Sequence, residues 1–221
     1  MTPIDTAASM RLEELEYVLN KKLSDDRVAA VHLLYNHPYT SHYMHTTRNI
    51  FNKQKLILHW VSADPTHLDP LLYSNKYLQG RIVVFINQDV YLGEGFEKMN
   101  KSVLCDRKIT YVLSRYGKKE KYCTMPSRCG VGRHINSHDT YIYCAKTPLP
   151  LEHFGELKSK SDHYGLENIW IWAFKQIKYK VLNPCYILKT YHVHCLNFRN
   201  KDRKRLNTVH SGGATFGNRL E

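Results

Sequence analysis

Gly80-Arg81-Ile82-Val83-Val84-Phe85-Ile86-Asn87-Gln88-Asp89-Val90 is the stretch on which the reading of this chain turns. A continuous apolar run such as Ile82–Ile86 fits a central parallel strand covered on both faces. It leads directly into an amide and a carboxylate two positions apart. In an extended chain, residues two apart point to one side, so Asn87 and Asp89 share a face. Ligands of open α/β sheets bind at the carboxyl ends of strands. A carboxylate there, with its partner amide, can hold a hard divalent cation that bridges phosphate oxygens. Asp89 can equally cap the turn that follows.

Outward from this strand, helices and strands alternate. Asp69-Pro70 opens a helix carrying Leu71, Leu72, Asn75 and Leu78, which Gly80 ends. Upstream, Ser9 is placed to cap a helix from about Met10 to Lys22, with Leu12, Leu15 and Leu19 as its apolar stripe. Val28–Tyr35 and Lys55–Val61 read as strands, with residues 36–52 a loop or short helix between them. Downstream come a loose helix around Phe96–Leu104 and strands at Ile109–Arg115 and Thr140–Ala145. A helix at Leu166–Ile177 and an extended Val181–His194 follow. The charged, irregular run from Gly117 to about Ser137 is long enough to be functional or mobile. This alternation predicts an α/β sandwich.

Three further constellations carry chemistry. In Ser137-His138-Asp139-Thr140, Asp139 can orient a hydroxyl and His138 can serve as a base, or the run is a simple loop turn. In Asp162-His163-Tyr164-Gly165-Leu166-Glu167-Asn168, Gly165 breaks the chain before a helix. Glu167 then falls in the first helical turn, where the dipole favours an acid and where a carboxylate can also accept an acceptor's proton. In Lys189-Thr190-Tyr191-His192-Val193-His194, the two histidines share a face of an extended segment. They suit Mn²⁺ or Zn²⁺, or a structural role.

Composition sets the outer limits. The 221 residues carry a net charge of +12 and 43% hydrophobic residues, so this is a globular, basic chain of one large domain or two small ones. No apolar run is long enough to span a bilayer, and Met1–Met10 lacks the basic flank and apolar core of a signal peptide. The expectation is an intracellular protein, cytoplasmic or nuclear, with no membrane partner. The six cysteines form no CxxC pair, and in that setting reduced thiols are expected.

Taken in order, these elements resemble GT-A-type glycosyltransferases, a nucleotide-binding α/β sandwich with a mainly parallel central sheet. Asn87-Gln88-Asp89 takes the place of the Asp-x-Asp metal motif. The run from Tyr77 to Leu92, then Val112–Tyr116, Ser137–Tyr143, Gly165-Leu166-Glu167-Asn168 and Asn183–His194, is similar to the TET/JBP-associated glycosyltransferase family. That family includes enzymes that glucosylate hydroxymethylated pyrimidines in DNA. It also includes the C-terminal glycosyltransferase-like domain of the estrogen-regulated GREB protein. The resemblance covers residues 28–196 and implies a domain over residues 11–196. A disordered segment 1–10 precedes it and a basic, partly disordered tail 197–221 follows.

The resemblance implies transfer of a sugar from a nucleotide sugar, UDP-linked foremost, to a hydroxyl of a DNA base or of a protein Ser/Thr. Asp89 would hold Mn²⁺ or Mg²⁺, with one of His194 and His192, His194 foremost, completing the metal shell. Asn87, Asp89 and Arg115 would contact the donor. Glu167 would be the base or position the acceptor, and Asp139 would contact the sugar or the acceptor. The alternative from a different class is a catalytically weak or inactive module of this fold, binding nucleic acid or a protein partner through its basic surface. Its mark would be a steep loss of affinity with salt.

Overall fold

The computed structural model describes residues 3–119, 124–130, 138–158, 165–195, 212–217 and 220. In chain order they form α1 (Pro3–Leu23), β1 (Val31–Tyr35), α2 (Pro38–Thr46), β2 (Leu56–Trp60), α3 (Asp69–Tyr77), β3 (Ile82–Ile86) and β4 (Val90–Leu92). There follow α4 (Lys101–Asp106), β5 (Ile109–Leu113), β6 (Lys118–Lys119), β7 (Thr124–Met125) and β8 (Thr140–Cys144). The last are α5 (Leu166–Gln176), β9 (Lys180–Asn183), β10 (Thr190–His192) and β11 (Thr215–Phe216). The fold is mixed α/β, as the alternation predicts.

The main sheet has five strands in the order β11-β9-β5-β8-β3. β11 and β5 pair parallel to β9, while β8 pairs antiparallel to both β5 and β3. Four strands therefore run one way and β8, inside the sheet, runs against them. The expectation of a mainly parallel sheet is corrected at β8, and that of a central β3 is corrected too: β3 closes the sheet's edge. Its run Ile82–Ile86 lines a cleft of about 1750 Å³, and β1 lines the same cleft. β1 and β2 form a separate parallel pair. The apolar composition of β3 thus faces a cavity rather than a second neighbouring strand.

The reversed strand is what assembles the site. Its first residue, Thr140, is opposite both Ile86 at the end of β3 and Leu113 at the end of β5. The ladder continues one step further: Asn87 N–H donates to Asp139 O (3.3 Å) and Asp139 N–H to Leu113 O (3.1 Å). The segments leaving β3 and β5 and the segment entering β8 are thereby held side by side at one end of the sheet.

One core lies between the sheet and α5. Trp170, fully buried, stacks on Tyr141 (4.6 Å between centroids), Phe85 (5.1 Å) and Phe174 (5.8 Å). A second core on the opposite side joins Leu104, Ile109, Tyr111, Leu113, Ile142 and Leu188. Gly95 is needed where it stands: φ is +95°, and a Cβ there would lie 1.9 Å from Ile187 O.

α1 starts at Pro3, ahead of the expected Met10, so the expected Ser9 cap lies inside the helix. The expected leucine stripe is also corrected. Leu12 is 41% exposed, while Glu14, Glu16 and Val18 are buried. The face Arg11-Glu14-Val18-Lys22 turns inward instead, with Val18 against Tyr91, Tyr191 and Val193 of the β4–β10 region. A helix with a polar inner face gives no apolar period to read.

The cysteines correct the expectation of reduced thiols. Cys105 bonds to Cys144, tying α4 to β8, and Cys129 bonds to Cys185, tying the segment after β7 to the turn after β9. Cys195 is also disulfide-bonded. Partners 39 and 56 positions apart fall within bonding range only once the sheet is built. Among the described residues, no helix is long and apolar enough to cross a membrane. The predicted elements at residues 120–123, 131–137 and 159–164, and the basic cluster Arg199–Arg205, lie outside the described residues.

Candidate metal centre at the end of the sheet

β10 pairs antiparallel with β4, matching His192 to Val90. The next residue, Val193, donates its N–H to Asp89 O at 2.8 Å. His192 and His194 flank Val193 in extended chain, so both rings fall on one side of it, and the turn at Gln88–Asp89 carries the Asp89 carboxylate to that side. His192 Nε2 and His194 Nδ1 each lie 3.1 Å from Asp89 Oδ2. Each of the three residues can bring one donor atom within 4.8 Å of the others. The structure thus gathers all three sequence-predicted ligands into one group that could hold a metal ion.

The donor set suits a divalent ion. One carboxylate oxygen and two imidazole nitrogens form a mixed set of the kind Mn²⁺ and Zn²⁺ accept. His192 Nε2 and His194 Nε2 are buried and lack a hydrogen-bond partner, the His192 contact with Asp89 being close but off the direction of a hydrogen bond. Buried polar atoms of this kind call for an explanation, and an ion is one.

Around this group sit the other predicted residues. Arg115 leaves β5 into the site and is buried, with Nη1 3.2 Å from His192 Nδ1 and 3.5 Å from Asp139 Oδ2. An arginine can only donate, so a hydrogen bond between these two needs a proton-free Nδ1. Ligation of a metal through Nε2 would put the ring proton on Nδ1, which would require Arg115 Nη1 to turn away and Asp139 Oδ2, now 3.9 Å off, to close in as acceptor. Asn87 Nδ2 lies 3.4 Å from Asp139 Oδ1, so Asn87 contacts the second carboxylate.

Glu167 occupies the first turn of α5, where Gly165 N–H donates to its Oε2 at 3.2 Å. Gly165 reaches this position with φ +99°. Glu167 lines the cleft together with Asp139, Arg115, Asp89, Asn87 and both histidines. Its charge and that of Asp139 both act on the Tyr141 hydroxyl, which burial above all raises well beyond its ordinary pKa. His138 is buried rather than at the surface, with Nδ1 3.4 Å from Ser114 Oγ, which also accepts from Asn183 Nδ2 at 3.0 Å. Burial pulls its pKa down to about 4, so it is neutral.

Sequence reasoning missed the contribution of α1. Arg11 Nη2 donates to Asp89 Oδ2 at 2.6 Å, and Arg11 Nη1 donates to Glu14 Oε2 at 2.7 Å and to Val193 O at 3.1 Å. Glu14 also accepts from Cys195 N–H at 3.1 Å. Lys22 Nζ donates to Asn87 O (3.0 Å) and Gln88 O (3.1 Å). Burial pulls Lys22 down to about 8, against the upward pull of Asp89. Burial by itself would raise the Asp89 carboxyl. Its contacts with His192, His194 and Arg11 outweigh that and hold it well below the ordinary range. The signal available in the sequence was the spacing of Arg11, Glu14 and Val18 on one helical face, but a polar face reads as solvent-facing.

No family model matches the chain, and no curated protein matches it. Among solved structures, the crystal structure of HddC from Yersinia pseudotuberculosis aligns with a TM-score of 0.37 and 17% identity. The alignment covers 59% of this chain and 62% of that one. A likeness at that level carries no argument about this chain's fold family or activity.

Proposed function

We propose that the chain is a metal-dependent glycosyltransferase of the GT-A type, moving a sugar from a nucleotide sugar to a hydroxyl acceptor. One observation supports this above the others: Asp89, His192 and His194 share a single cleft with Asp139, Arg115 and Glu167. At about 1750 Å³ the cleft has room for a nucleotide sugar and an acceptor group together.

In this reading Asp89, His192 and His194 hold Mn²⁺ or Mg²⁺, the imidazoles favouring Mn²⁺. The ion would neutralise charge developing on the diphosphate as it leaves. Arg115 supplies further donors to phosphate oxygens. Asp139, whose Oδ2 is buried without a hydrogen-bond partner, accepts from a sugar hydroxyl. Glu167 accepts the proton of the acceptor hydroxyl as its oxygen bonds to the anomeric carbon and the carbon–phosphate oxygen bond breaks. A UDP-sugar is the first donor to try. A hydroxymethylated DNA base and a protein Ser/Thr hydroxyl are the first acceptors.

The test is a panel of nucleotide sugars with and without Mn²⁺, read by donor turnover and by thermal shift. A Mn²⁺-dependent shift with one donor, lost in Asp89→Ala, is the expected result. No turnover and no shift with any donor would sink the reading. Steeply salt-dependent DNA binding in that case would favour the non-catalytic basic module, whose motive is the +12 charge.

A further inference from the structure

Arg11 stands against the very oxygen that the metal site needs. Its 2.6 Å approach to Asp89 Oδ2 is closer than that of either histidine, at 3.1 Å each. A guanidinium stays charged at any ordinary pH. Two positive charges a few ångströms apart in a site screened from water repel strongly. Arg11 and a metal ion at Asp89 Oδ2 therefore compete for the same oxygen.

Arg11 also has somewhere to go. Nη1 is held separately by the buried Glu14 and by Val193 O. Losing Asp89 breaks one contact of the guanidinium and leaves its charge paired with Glu14. Such an exchange avoids the heavy cost of stranding a buried charge.

We propose that Arg11 is a competing cation built into α1: Asp89 exchanges Arg11 for the metal ion, and α1 thereby sets the metal affinity of the site. This rests on Asp89, His192 and His194 being the metal ligands, as read above. Arg11 is accordingly a positioning residue, holding the Asp89 carboxylate in its ionised, inward orientation until a cation replaces it.

The experiment is calorimetric titration of the full chain with Mn²⁺, comparing the unaltered protein with Arg11→Met and Asp89→Asn. Arg11→Met should bind Mn²⁺ more tightly, by about tenfold or more, since the ion no longer has to displace a cation from Asp89 Oδ2. Asp89→Asn should abolish binding. Unchanged or weaker binding by Arg11→Met, with Asp89→Asn still inactive in binding, overturns the exchange and leaves the metal site standing. No Mn²⁺ binding by either the unaltered chain or Arg11→Met overturns the metal site, and the exchange with it.

Should Arg11→Met fail to fold, the unaltered chain labelled in arginine gives a second readout by NMR, with the Arg11 guanidinium signal assigned from Arg11→Lys. Saturation with Zn²⁺ should shift that signal and speed exchange of its protons. An unchanged signal in a Zn²⁺-loaded protein overturns the proposal.

Discussion

His194 Nδ1 lies 3.1 Å from Asp89 Oδ2, although 105 positions separate the two residues. The β4–β10 pairing and a turn account for it together: pairing His192 with Val90 sets both histidines on one face of β10, and the turn at Gln88–Asp89, just before β4, brings the carboxylate to that face. The same pairing puts His192 between two carboxylates, with Nε2 toward Asp89 and Nδ1 toward Asp139.

If the proposed metal centre holds, removal of either end of this contact should abolish it. Asp89→Asn and His194→Ala are each expected to weaken Mn²⁺ binding by about a hundredfold or more, beyond the loss usual for a residue that only supports a ligand. Titration calorimetry checks it, with circular dichroism showing that the fold is kept. Full-strength binding in both variants would show that the ion, if any, is held elsewhere.

Glu167→Gln separates chemistry from structure. An amide oxygen still accepts the Gly165 N–H, so the start of α5 should persist. Loss of the basic carboxylate should lower the turnover of transfer about 10²- to 10⁴-fold while the KM for the donor changes little. A variant with unaltered turnover would remove Glu167 from the reaction.

Acid should destabilise the fold in a window set by His138. Its folded pKa, about 4, lies below the 6.5 of the unfolded chain, so between those values the unfolded state binds the extra proton. Stability is therefore full above about 6.5 and falls as pH drops toward 4, by about 3 kcal/mol for this residue. Asp89 is depressed as a carboxylate and adds its loss only below the ordinary carboxylate range. Urea unfolding at neutral pH and near the lower value, for the unaltered chain and for His138→Gln, checks this. A pH slope that survives in His138→Gln would assign the window to another group.

Reduction should cost stability and loosen the site at Arg115. The Cys129–Cys185 bond closes a loop of 56 positions, which predicts about 4 kcal/mol from chain entropy. Cys129 N–H and Arg128 N–H both donate to Arg115 O, so the segment this bond anchors is also what holds the Arg115 backbone. Cys129→Ser with Cys185→Ser is expected to lower both the unfolding midpoint and Mn²⁺ affinity. A lower midpoint with unchanged affinity would confine the bond's role to the fold.

The residues that line the candidate site stood out in the sequence because their signals are local. His192 and His194 alternate with an apolar residue, which announces an extended chain with both rings on one side, and Asp89 closely follows an apolar strand, although residues 88–89 form a turn rather than extended chain. The gathering of Asp139, Arg115 and Glu167 in the same cleft follows from strand ends and a helix start, which local patterns also mark. Arg11, Glu14 and Lys22 were not legible. Buried charged residues look like surface residues until their partners are known, and those partners lie as far as 181 and 182 positions away, at Cys195 and Val193.

The sequence by itself determined the alternation of helices and strands and the identity of the three metal-ligand candidates. The alternation follows from side-chain periodicity, which reports backbone state and burial over a few residues; the three candidates stood out by residue type and local placement, and their grouping as ligands was what the resemblance implied. Only the tertiary structure decided that β8 runs against its neighbours, that β3 lies at the sheet's edge beside the cleft, which cysteines pair, and that Arg11 rests on Asp89. These are choices among long-range pairings. They turn on small differences in packing and electrostatic energy summed over the whole molecule, and no local pattern records that sum.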